Sequence, residues 1–236
     1  MLQYNIFMLA TDTATAHPRA LASTPAQPVR TGTSPAILAA LKEPETELAI
    51  WQRTLPPELA QWLGTVSPPA THGVRGIAHP SELGPALADW IATWRPGNAV
   101  AGAALIADIV QLATLFTDVI GTKQVDYRLE WIAGDSCWKF HRDCVSARLL
   151  TTYRGPGTQW VTPDLSDGAL RAQRAFDGRI RALGTGDVSV FTGSCAGDGR
   201  GIVHRSPPIS GSGDVRLLLC LNPPHGGDHE VQPGVA

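Results

Sequence analysis

From Val125 onward the hydrophobic period of the chain changes from helical to alternating, and this change limits the folds open to it more than any other feature. Val125-Asp126-Tyr127-Arg128-Leu129-Glu130-Trp131-Ile132 alternates apolar with polar residues, as do Ala147 to Tyr153 and Gln159 to Val161. Period-two alternation sends successive side chains to opposite faces, so each segment reads as a half-buried strand. Gly155-Pro156-Gly157 supplies a turn, and further strands are expected at Arg179 to Leu183, Val188 to Thr192, Gly201 to His204 and Val215 to Asn222. Short strands joined by Gly, Pro and Asp turns predict a barrel or sandwich.

The part before Val125 reads differently. Residues 11–35 are rich in Ala, Thr, Ser and Pro with almost no large apolar side chains, and Met1 to Ala10, apolar in part, lacks the basic start of a secretory signal, so a disordered leader is expected over residues 1–35. Residues 36–122 form a helical support region. Ile37, Leu38 and Leu41 share a face, Pro57 opens a short helix through Trp62, and Ser81 caps a helix carrying Leu83, Leu87, Trp90, Ile91 and Trp94. Asn98 to Ile120 is the most apolar stretch, but Asp108, Gln111, Thr114 and Asp118 recur along one stripe. A nearly buried helix on a sheet is expected there rather than a membrane span. Residues 123–222 are then the β domain and residues 223–236 a flexible tail, where His225 and His229 read as solvated, as do His72 and His79 in their loops.

The chemistry centres on Cys137-Trp138-Lys139-Phe140-His141-Arg142-Asp143-Cys144. Residues i and i+2 of an extended segment point to one face, so His141 and Asp143 can aim at one point. His204 is a third candidate, and Arg216 lies beyond it at the head of Leu217-Leu218-Leu219-Cys220-Leu221. Two imidazoles and a carboxylate on one face of a divalent ion leave its remaining positions open. Each residue has a plainer use: His141 with Asp143 as a structural pair, Arg216 paired with Asp187 or Asp214, and Trp131, Trp138 and Trp160 as core. Cys137 and Cys144 offer a rival zinc site with Asp143 or His204, although their spacing lacks the usual knuckle.

The order His141-x-Asp143, Gly186-Asp187-Val188-Ser189-Val190-Phe191, His204, Arg216 resembles the double-stranded β-helix Fe(II)/2-oxoglutarate dioxygenases over Tyr127 to Asn222. Phe140-His141-x-Asp143, Thr152-Tyr153-Arg154-Gly155-Pro156-Gly157-Thr158-Gln159-Trp160 and His204-Arg205-Ser206-Pro207-Pro208 are more closely similar to the bacterial domain of unknown function family numbered 1826. That family has no assigned activity, and its members tend to be encoded near zinc-homeostasis genes. The first resemblance implies a mainly β fold with N-terminal helices, a double-stranded β-helix or jelly roll carrying a helical layer. It implies Fe(II) on His141, Asp143 and His204, and 2-oxoglutarate held by Arg216. Read from the residues themselves, Arg148, Thr151 and Tyr153 lie on the strand after His141-x-Asp143 and offer further hydrogen bonds to a co-substrate, the register deciding which of them face inward. A zinc sensor, store or carrier, and a metal-free cupin-like binding module, are the alternatives.

Charge narrows the partners. A net charge of -2 and a pI near 6.4, without a basic run, give no general attraction to nucleic acid or anionic lipid. A small-molecule or peptide substrate is expected, with oligomeric state open. Cys137, Cys144, Cys195 and Cys220 contain no C-x-x-C pair and are sparse for a disulfide scaffold, so a reducing cytoplasm is expected.

Overall fold

The computed structural model describes residues 28–196 and 201–224. Strands β1 (Val29–Gly32), β2 (Leu48–Trp51), β3 (Gly73–Ala78), β4 (Val125–Ile132), β5 (Ala147–Arg154), β8 (Val188–Thr192) and β10 (Arg216–Asn222) make a seven-stranded sheet, ordered β1-β2-β8-β5-β10-β4-β3. A smaller sheet holds β6 (Gln159–Trp160), β7 (Arg181–Ala182) and β9 (His204–Arg205), ordered β7-β6-β9. An isolated antiparallel bridge between His141 and His204 extends the smaller sheet by one residue. Followed along the chain from β4, the backbone passes repeatedly from the large sheet to the small one and back. This winding, with β4, β10, β5 and β8 antiparallel neighbours in the large sheet, is a double-stranded β-helix whose second sheet is short.

The helices are α1 (Pro57–Thr65), α2 (Leu83–Ala92), α3 (Ala99–Ile120) and α4 (Ser166–Ala172). Pro57 stands in the first turn of α1, where its missing N–H costs nothing, and Asn98 caps α3 by accepting from the Ala101 N–H at 3.1 Å. Gly121 ends α3 in the left-handed conformation at φ 74°.

The large sheet separates two cores. On its helical side Leu129, Trp131, Leu149, Val188, Val190, Leu217, Leu219 and Leu221 pack with Leu87, Leu105, Leu112 and Phe116. On the other side Leu48, Ile50, Ile132, Leu150, Phe191, Leu218 and Cys220 pack with Trp160, Leu183 and Ile202 around the small sheet. Alternation along β10 sends Leu217, Leu219 and Leu221 to the first core and Leu218 and Cys220 to the second.

Three expectations need correction. Residues 29–32 are a strand and Pro35–Lys42 a 3-10 helix, so the disordered leader does not extend to residue 35; residues 1–27 lie outside the described set. β1 pairs in parallel with β2, which supplies main-chain partners to a segment too short and polar to signal itself. Residues 36–122 are not a purely helical layer, because β2 and β3 pair with β8 and β4. Finally, α3 is half-buried rather than nearly buried. By length and composition it could cross a membrane, with 39% of its most apolar window buried. One face packs on the core while Val100 stays exposed, and Asp108 is bound by Arg53 and Tyr153. His225 and His229 lie outside the described residues.

Candidate metal centre

His141 and His204 come from opposite ends of the β region, yet their backbones exchange two hydrogen bonds, His141 N–H to His204 O at 3.0 Å and His204 N–H to His141 O at 3.1 Å. The segment 141–143 belongs to no strand; this bridge fixes its start, and the Ser194 N–H, donating to Asp143 O at 2.8 Å, fixes its end. Side chains directly opposite in an antiparallel bridge share a face, so the two rings sit side by side, centroids 4.5 Å apart. Asp143 lies beneath them. Its Oδ1 is 3.5 Å from His141 Nε2 and its Oδ2 is 3.2 Å from His204 Nε2. All three potential ligand atoms lie within 4.8 Å of one another.

The far side of each ring is already fixed. His141 Nδ1 lies 2.8 Å from the Lys139 carbonyl and His204 Nδ1 3.2 Å from the Ile202 carbonyl. A carbonyl only accepts, so each Nδ1 donates a proton to its carbonyl, and each Nε2 is directed at the Asp143 carboxylate, which favours a proton on it; a metal takes the place of that proton. Burial acts to lower the His141 pKa, but Asp143 and the Lys139 carbonyl outweigh it and hold it raised. Burial likewise pushes the Asp143 carboxyl up, and the two imidazoles with the Arg148 guanidinium overcome this, holding it far below the ordinary carboxylate range. Arg148 Nη1 is 2.7 Å from Asp143 Oδ2 without hydrogen-bond alignment, so that buried oxygen keeps no hydrogen-bond partner. The two Nε2 atoms, once deprotonated, and the ionised Asp143 carboxylate converge in a partly buried site and fit a divalent cation.

The site opens on a pocket of about 170 Å³ lined by Arg128, Glu130, Cys137, His141, Arg148, Thr158, His204 and Ser206. Behind Thr158 and Ser206 lies Arg216, with no exposed surface. Its Nε donates to Pro156 O at 2.8 Å and Nη1 to Ser206 Oγ at 2.9 Å, while Nη2 reaches Thr158 Oγ1 at 3.3 Å and Thr152 Oγ1 at 3.4 Å. Among the described residues no carboxylate pairs with it, and burial lowers its pKa to about 10. The alternative pairing of Arg216 with Asp187 or Asp214 does not occur. Asp187 caps Gly184 and Arg53 backbone N–H groups, and Asp214 binds Ser212.

Other sequence candidates fall elsewhere. Tyr153 faces the helices, donating its hydroxyl to Asp108 Oδ2 at 2.6 Å, and Thr151 sits across from Leu219 and Val188 of the same core. Both therefore face away from the pocket, whereas Thr152 is on the other side of the sheet, its hydroxyl 3.4 Å from Arg216 Nη2. Arg148 does line the pocket, but its Nε donates to Asn222 Oδ1 at 2.7 Å and its Nη1 faces Asp143, so it braces the ligand carboxylate. Cys137 is at the pocket rim in a left-handed conformation, φ 51°, and Cys144 points to Cys195. Among the described residues the convergent cluster includes no thiol, so the mixed sulfur and nitrogen zinc site is not formed. Trp131 and Trp160 are core residues, whereas Trp138 carries the Arg174 guanidinium 4.1 Å above its ring. Thr152, Thr158 and Ser206 escaped the sequence reading. Ser206 had a signal, lying two residues beyond His204 and hence on its face.

The family DUF1826, described as a protein of unknown function, matches residues 32–222. No curated protein matches the chain. Among solved structures it is similar to a prolyl-4-hydroxylase from Pseudomonas putida, at 14% identity over 80% of this chain and 96% of that one, TM-score 0.41. It is also similar to AviO1 from Streptomyces viridochromogenes, at 14% identity over 84% and 99%, TM-score 0.40. A third likeness is to the Kdo hydroxylase KdoO, a non-haem Fe(II) alpha-ketoglutarate-dependent dioxygenase in complex with succinate and Fe(III), at 12% identity over 83% and 88%, TM-score 0.42. These likenesses are too distant to speak for the chemistry of this chain, which rests on its own side chains.

Proposed function

We propose that this chain, which belongs to the DUF1826 family, is a mononuclear non-haem metal oxidoreductase that uses Fe(II) and 2-oxoglutarate to oxidise a small-molecule or peptide substrate. The observation that carries this is the convergence of His141, Asp143 and His204 at a pocket backed by a buried guanidinium that, among the described residues, no carboxylate pairs with directly. Such a guanidinium is costly to bury and gains most from an anion delivered through the pocket.

His141 and His204 would hold the metal through Nε2 and Asp143 through a carboxylate oxygen, leaving one net positive charge to attract an anionic ligand. When bound, the metal with dioxygen and 2-oxoglutarate supplies an oxidation in which R–H, O₂ and 2-oxoglutarate become R–OH, succinate and CO₂. Arg216 would supply the positive charge for the distal carboxylate of the 2-oxo acid, and Thr158 and Ser206, which line the pocket and accept from its guanidinium, would stand between the two or turn aside to admit the carboxylate. Arg148 keeps Asp143 ionised and oriented. The apolar walls of Ile132, Leu150 and Leu218 thin the water around these charges and strengthen their attraction.

The test is metal analysis of the purified chain followed by anaerobic titration with Fe(II) and 2-oxoglutarate. A visible charge-transfer band, and succinate formation on admitting air, are expected in the wild type and absent in His141→Ala, Asp143→Ala and His204→Ala. Tight zinc binding through the same three residues, with no band and no succinate, would replace the oxygenase by a zinc-binding role. Absence of any metal binding would leave a cupin-like binding module.

A further inference from the structure

We infer that Cys144 and Cys195 form a redox-active dithiol, which a peroxide closes to a disulfide that ties the segment carrying Asp143 to the turn after β8. Their sulfur atoms are 2.8 Å apart across a sequence separation of 51 residues, and both thiols are exposed. The approach is built by the backbone. Ser194 N–H donates to Asp143 O at 2.8 Å, Cys195 N–H to Val145 O at 3.3 Å, and the Ser194 hydroxyl to Asp143 O at 3.0 Å. Gly193 lets the two segments come together, since a Cβ there would lie 2.6 Å from Asp143 O and collide with Val145 O. The cysteines therefore face each other across hydrogen-bonded segments, not at the tips of loose loops.

The reaction balances with one peroxide. The thiolate of one cysteine attacks a peroxide oxygen, the O–O bond breaks, and a sulfenic acid forms as the departing oxygen leaves as water. The second thiol attacks that sulfur, the S–O bond breaks, a second water leaves and the S–S bond forms. Two thiols are oxidised and one peroxide is reduced. Because the sulfurs already touch, the second step needs no large backbone movement and outruns further oxidation. Cys220 is buried and Cys137 borders the metal pocket, so neither shares this arrangement. The product pins the backbone one residue from Asp143, so the redox state of the pair sets how firmly that carboxylate is presented.

The full-length reduced protein is treated with equimolar hydrogen peroxide, alkylated with N-ethylmaleimide in denaturant, digested without reductant and mapped by mass spectrometry. A Cys144–Cys195 linked peptide, with Cys137 and Cys220 alkylated and the link reversed by dithiothreitol, is expected. Both positions are exposed, so Cys144→Ser and Cys195→Ser retain the wild-type circular dichroism. Each loses the linked peptide and, given two further equivalents of peroxide, accumulates sulfinic acid on the remaining cysteine. Recovery of Cys144 and Cys195 as separate alkylated or sulfinic peptides from the wild type overturns the inference, as does linkage to Cys137 in equal yield.

Discussion

His141 and His204 pair through two backbone hydrogen bonds of 3.0 and 3.1 Å, and this pairing aims both Nε2 atoms at Asp143. The local fold around the site is thus decided by main-chain contacts that a change of side chain leaves in place, which makes the site open to substitution.

Replacing Arg216 tests the anion seat. Arg216→Met removes a charge-assisted pair to the 2-oxo acid, a contribution of about 1.5 to 3 kcal/mol, or roughly 10- to 150-fold in affinity. Arg216→Lys keeps the charge but loses the fork and falls between. Calorimetric titration with 2-oxoglutarate should show this order, while metal content stays at the wild-type level.

Acid should release the centre. The folded Asp143 carboxyl titrates below its ordinary value of 3.8, so its stabilising contribution is fully present above that pH and is lost as pH falls through the folded value. Acid unfolding of the metal-free protein is expected to be less steep in Asp143→Asn, followed by circular dichroism between about pH 5 and pH 2.

Alkali should act on the opposite side of the sheet. Burial, reinforced by Asp108, raises the Tyr153 hydroxyl well above its ordinary 10.0. Its contribution is therefore present below pH 10 and lost as pH rises towards the folded value, because the unfolded chain gives up this proton first. Tyr153→Phe should lower stability at neutral pH by about 1.5 to 3 kcal/mol, the worth of a hydrogen bond to a charged group, and flatten the alkaline decline. Urea unfolding at pH 8 and above 10 measures both.

Gly193→Ala should damage metal binding from a distance. The added Cβ meets the Val145 and Asp143 carbonyl oxygens, so the backbone presenting Asp143 must move. A stability loss on the order of 2 to 4 kcal/mol is expected, together with weaker metal retention, read by denaturation and by metal analysis after dialysis.

Much of this was legible in the residues. The alternation of Val125 to Ile132 and of Val188 to Thr192, and the triplet His141-x-Asp143, are patterns whose meaning lies in near neighbours, while His204 and Arg216 stood out only by their order along the chain. Period two tells which residues share a face but not which face is inward, and so Thr151 and Tyr153 were expected where Thr152 stands. The strands β1, β2 and β3 exist because partners distant in sequence accept their backbone groups, a condition no local window contains. The same holds for Cys144 and Cys195, whose spacing suggested nothing until the segments around Asp143 and Ser194 were paired. The sequence by itself determined the element periods and singled out His141, Asp143, His204 and Arg216; the tertiary structure alone decided the strand registers, the burial of Arg216 with no carboxylate paired to it among the described residues, and the contact of the two thiols. The physical reason is that hydrogen-bond pairing between distant strands, rather than any local preference, sets the absolute side to which each side chain points.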